Sequence, residues 1–194
     1  NAYTGLLLVM IILALFLRFK LAIWVAAGIP IAIAGALTVF PAMDMTISSL
    51  TVMGFILVLG IVVDDAIVVG ERIYSYEKKG YPKEEAAIEG TLEVSMPVIF
   101  GVLTTIAAFL PLLLQTGQFG AFSNVIGGVV VFCLIASLVE SQLILPGHIA
   151  HRKTEGYFLE GTRVVLMWQN FQEKIADGME HFAEHGYRRA LKKV

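Results

Sequence analysis

The stretch TVMGFILVLGIVVDDAIVVG, residues 51–70, decides how the chain is read. Apart from Asp64 and Asp65 it carries no charged residue, and a run of this kind predicts a helix crossing a bilayer, for which about 20 apolar residues suffice. At that depth an ionised carboxylate costs on the order of 2.5–3.5 kcal/mol by insertion scales. Two adjacent ones therefore require a cation, a proton or a water-filled path, and the pair is the first candidate site. The alternative is that they face a cytoplasmic vestibule or are neutralised by a neighbouring helix. Mutual repulsion and desolvation disfavour double ionisation, which suits groups that load and release a proton. Successive residues on a helix are turned by about 100°, so one aspartate can face an ion path while the other meets a neighbouring helix.

Composition extends that reading to the whole chain. Its 194 residues are 57% hydrophobic and 15% charged, with a mean hydropathy of +0.78, against about 25% charged residues in soluble domains. This is an all-α membrane protein. The net charge of -2 conceals a segregation: the 14 lysines and arginines lie within 18–20, 72–83 and 152–193. No basic balance points to nucleic acid. Cys133 is the single cysteine and sits in an apolar run, so neither a disulfide framework nor a cysteine metal site is indicated, and it reads as a small core or lipid-facing residue.

Apolar runs predict spans at 4–17, 21–41, 48–70, 92–114 and 121–146 within a domain covering 1–150. The first is short for a bilayer, so it is expected to begin upstream in a longer parent. Asn1 and Ala2 read as a tag remnant, and the start lacks the basic n-region and cleavage signature of a signal peptide. Basic residues flank alternate connections, whereas the turns at 41–45 and 115–120 have none. The positive-inside rule then assigns 18–20, 71–90 and 148–194 to the cytoplasm. Glu71 and Arg72 are expected to close the aspartate helix and snorkel to water.

Residues 151–194 form a separate unit, with Phe158, Leu159, Val165, Leu166, Trp168, Phe171, Ile175, Met179 and Phe182 at helical spacing and charges between them. That pattern predicts an amphipathic helix in the inner interface with a basic tail near anionic headgroups. A helix packed on a soluble domain is the alternative.

Within the spans, Gly60 lies one turn before Asp64 and is expected either to admit a close neighbour or to leave room for a water or an incoming Lys or Arg side chain, while Gly54, Gly127 and Gly128 are expected to permit close approach. Pro30, Pro97 and Pro111 predict bends. Thr104 and Thr105 are candidate auxiliaries, placed to hydrogen-bond the carboxylates or to bond back to their own helix. Glu140 is the other acid in a hydrophobic run, read either as a partly hydrated hydrogen-bonding residue or as an auxiliary proton relay. His148, His151, His181 and His185 form no HExxH, and no Walker motif or nucleophile elbow is present. No cofactor, metal site or enzyme activity is expected.

The run GFILVLGIVVDDAIVVGERI, 54–73, resembles the fourth transmembrane helix of the resistance-nodulation-division (RND) efflux transporters, in their hydrophobe and amphiphile branch. LALFLRFKLAIWVAAGIPIAIAGALTVF at 13–40, KGYPKEEAAIEG at 79–90 and GVLTTIAAFLPLLL at 101–114 resemble the second and third helices, the inner loop and the fifth helix of that family. The resemblance implies a five-helix portion, helices two to six plus the linking interfacial helix, of the N-terminal transmembrane half of a bacterial inner-membrane antiporter. It implies that Asp64 and Asp65 take up protons and pair with a lysine on helix ten, in a half outside this chain. It also implies a homotrimer with a periplasmic adaptor and an outer-membrane channel. Within that resemblance the paired aspartates imply organic rather than heavy-metal substrates, whereas SLVESQLILPGH at 137–148 departs from the threonine-proline ending common in multidrug members. A lipid- or protein-export RND component, a sodium-coupled transporter and a structural membrane module are the other readings.

Overall fold

The computed structural model describes Thr4, Leu8 and residues 19–152. Apart from Thr4 and Leu8, the expected first span at 4–17 lies outside the described residues, as do the expected amphipathic helix at 157–186 and His181 and His185. Within them the chain is helical throughout: α1 (Phe19–Val39), a short 3-10 turn (Phe40–Met43), α2 (Ser49–Lys78), α3 (Lys83–Leu113), α4 (Gly117–Val139), a π-helical turn (Glu140–Ile144) and α5 (Leu145–Ala150). Among the described residues four segments are long and apolar enough to cross a membrane: Leu21–Met43, Ser49–Lys78, Lys83–Leu113 and Gly117–Ala150.

Helix ends follow local chemistry. Asp44 turns the chain in the left-handed region at φ 51°, and Ser48 then starts α2 with a capping box. The Ser48 hydroxyl accepts the Thr51 N–H at 3.4 Å, and the Thr51 hydroxyl accepts the Ser48 N–H at 2.7 Å. Pro82 precedes α3, whose first turn carries Glu84 and Glu85 at the positive end of the helix dipole. α1 and α3 run through Pro30 and Pro97, and Pro111 sits in the last turn of α3.

The expectation that Glu71 and Arg72 end the aspartate helix is corrected. α2 has 30 residues, about 45 Å at 1.5 Å per residue, whereas the hydrocarbon core is about 30 Å thick. α3 likewise begins at Lys83 rather than at 92. The two helices outlast their apolar runs and meet in a turn of only a few residues, with Gly80 at φ +93°. Arg72 is held on that extension: its Nε donates to Glu93 Oε2 at 2.6 Å and its Nη2 to Glu93 Oε1. Hydropathy ends where charge begins, but helical hydrogen bonding does not.

α4 is buried on most of its circumference, through Ser123, Ile126, Val129, Val130, Cys133, Leu134 and Ser137, as expected of a helix apolar all round. It lies among α1, α2 and α3. Cys133 is a core residue, fully buried. Small residues set the approaches, as in membrane bundles generally. A Cβ on Gly54 would lie 3.0 Å from Val129, one on Gly35 3.0 Å from the Ala136 Cβ, and one on Gly127 3.1 Å from the Leu112 Cβ. Gly90 meets the backbone of α2 itself, where a Cβ would fall 2.7 Å from the Ile73 Cα.

Candidate functional site

Asp64 lies on an open stripe of α2. Met53, Leu57, Gly60, Asp64, Val68 and Glu71 recur at three- and four-residue spacing and are exposed. Gly60, expected to admit a close neighbour, has nothing within 4 Å of its would-be Cβ; the helices of this bundle pack on the opposite side of α2, at Gly54, Val58, Val62, Ala66 and Val69. Asp65, turned about 100° away, is half-buried, and its Oδ2 is buried with no hydrogen-bond partner. Buried polar atoms are rarely left so, and a proton or a cation is what stabilises such an oxygen.

The threonines do not reach the aspartates. Thr104 Oγ1 donates to the Phe100 carbonyl at 2.7 Å and Thr105 Oγ1 to the Gly101 carbonyl at 3.0 Å, the back-bonding that Thr adopts when no better acceptor faces it.

Glu140 differs from its expected hydrated state. It is 3% exposed and opens the π turn, where the Leu145 N–H reaches back five residues to the Glu140 carbonyl. Its carboxyl lies over Gly28 of α1: a Cβ there would be 2.6 Å from Oε1 and 2.8 Å from Oε2. In the sequence Gly28 stands out only as a near neighbour of Pro30. The signal for its role was spacing, since Gly28 and Gly35 lie on one face and both meet the helix that carries Ala136 and Glu140. Around Glu140 the hydroxyls are engaged. Ser137 Oγ donates to the Val62 carbonyl at 3.3 Å, and Ser95 Oγ meets Gln142 Oε1 at 2.7 Å.

Two contacts set the register of α2 on α4. Gly54 faces Val129 and Val62 faces Ser137, the same offset of 75 residues in both, so the helices run parallel. By that offset Asp65 falls level with Glu140. At the end bearing the basic residues, Arg152 pairs with Glu77 and Lys83 Nζ donates to the Arg152 carbonyl at 3.0 Å, closing α2, α3 and the chain after α5 together. There His148 stacks on Trp24, with ring centroids 4.9 Å apart.

A bundle of long apolar helices with acids on and inside it defines a multi-pass α-helical membrane fragment. The particular family is equally plain: residues 1–194 match the AcrB/AcrD/AcrF family throughout, and the chain belongs to it, within the RND transporters. The swarming motility protein SwrC of Bacillus subtilis is 36% identical over 150 residues, covering 75% of this chain and 14% of SwrC. The multidrug resistance protein MdtC of Escherichia coli is 32% identical over 140 residues, covering 72% of this chain and 14% of MdtC. An uncharacterised transporter of Haemophilus influenzae is 32% identical over 143 residues, with the same 14% of its length covered. The chain thus spans about a seventh of the relatives it matches.

Proposed function

We propose that this chain is the proton-coupling membrane segment of the first half of a bacterial inner-membrane efflux transporter that exchanges protons for amphiphilic organic substrates. The observation that carries the reading is the placement of Asp64 and Asp65 within the otherwise uncharged run 51–70 of α2, one on an open stripe beside Gly60 and the other with a buried, unbonded oxygen. A cation from the other half, the lysine that the family resemblance implies, would approach along that stripe. Protonation would weaken its attraction and release the halves to rearrange, while deprotonation would draw them together. The cytoplasmic side holds 18–20, 71–90 and 148–194, and the parent assembles as a homotrimer with a periplasmic adaptor and an outer-membrane channel. Thr104 and Thr105 serve as auxiliaries only after a change of rotamer. Transport, rather than covalent catalysis, is the activity, and no bound cofactor enters it.

The test is proton-driven efflux by the full-length parent in everted vesicles, with Asp64→Asn and Asp65→Asn compared with wild type at matched expression. Both substitutions keep shape and remove the titrating group, so loss of efflux with retained folding is the expected result. Unchanged efflux in both variants overturns the reading. Efflux that needs sodium and moves no protons replaces it with sodium coupling.

A further inference from the structure

We infer that Glu140 is a second proton-binding carboxyl of this bundle, seated against Gly28 of α1 at the level of Asp65 on α2. It goes beyond the aspartate pair and lies on different helices from it. Glu140 is 3% exposed, and no hydrogen bond or ion pair joins its side chain to another described residue. Among the described residues no donor meets an ionised carboxylate in this place, and 3% exposure leaves it little water, so the form that fits the seat is the neutral acid.

Among the described residues the surroundings supply no alternative neutralising charge. From Leu21 to Val39, α1 has no ionisable side chain. α2 brings Asp65 level with Glu140 and, farther along, Glu71, Arg72, Tyr74 and Glu77, of which Arg72 is taken by Glu93 of α3 and Glu77 by Arg152. α5 brings His148, stacked on Trp24. α3 adds Ser95, bonded to Gln142, and α4 offers only Cys133, two turns away. The seat itself is built for a carboxyl: any residue larger than glycine at position 28 would occupy the space of the Glu140 oxygens. The π turn loosens α4 where the acid begins it, and such turns recur at functional sites in helices. A shift of α1 off α4 would open the seat, let water in and release the proton at the depth of Asp65.

The experiment uses the full-length parent in lipid with carbon-isotope-labelled glutamate, read by infrared spectroscopy across pH, together with the pH profile of transport. The expected result is a protonated-carboxyl band at neutral pH that disappears reversibly in alkali, is missing in Glu140→Gln, and is accompanied there by a flattened pH profile. In Gly28→Ala the added methyl displaces only the flexible end of Glu140, so the protein folds and the band shifts; this variant reads the site even where Glu140→Gln fails to fold. Absence of the band, a band that never titrates, or a wild-type pH profile in a folded Glu140→Gln overturns the proposal. The infrared arm is independent of whether Asp64 and Asp65 drive efflux, so the two readings fail separately.

Discussion

Two glycines of α2 and α3 face opposite circumstances, and they separate packing from function. A Cβ on Gly90 would press the Ile73 backbone at 2.7 Å, which cannot yield as a side chain does, so Gly90→Ala is expected to destabilise the protein by about 1–3 kcal/mol, seen as a lower melting temperature in detergent. Gly60 has open space around it. Gly60→Ala should leave folding unharmed or raise stability by about 0.5–1 kcal/mol through helix propensity, while lowering efflux by the full-length parent if a helix of the other half closes on the Asp64 stripe. Thermal melts and efflux assays on the same two variants separate the effects. Both aspartates were legible as candidates, because charge in an apolar run is conspicuous. Their different settings were not, because an angle of about 100° acquires meaning only once the neighbouring helices are in place.

At the scale of elements, α2 depends on its first turn and on its charged extension. Replacing the Ser48 and Thr51 hydroxyls, as in Ser48→Ala with Thr51→Val, removes both reciprocal bonds of the cap and should cost about 1 kcal/mol, with faster amide exchange confined to the start of α2. At the other end Arg72 and Glu93 join α2 to α3. Existence and order of the helices were readable from hydropathy, but their inner limits were not. Residues 71–78 and 83–91 look like loop by polarity, yet both stretches keep their helical backbone bonds, with Arg72 held by Glu93 and Glu77 by Arg152.

Taken whole, the described bundle is only partly covered. Leu92, Met96 and Phe100 of α3 are 63%, 60% and 58% exposed, an apolar face that fits lipid or further helices. Cysteine labelling of the full-length parent tests the orientation. Lys79→Cys is expected to react with a membrane-impermeant maleimide from the cytoplasmic side and Gln115→Cys from the opposite side, while Phe100→Cys resists it from both. Cys133, fully buried, should stay silent in the background. Reaction of Lys79→Cys and Gln115→Cys from the same side would overturn the alternating topology.

By itself the sequence determined the class of protein, the order of the described helices and the candidacy of Asp64 and Asp65 as a site, since hydropathy, charge segregation and an expensive charge are properties of a chain read in one dimension. The seat of Glu140 on Gly28, the parallel register that brings it level with Asp65, and the division of α2 into a packed side and an open one belong to the tertiary structure. Each depends on which face of one helix meets which face of another, and side chains more than a hundred residues apart, such as Gly28 and Glu140, carry no local signal of their meeting.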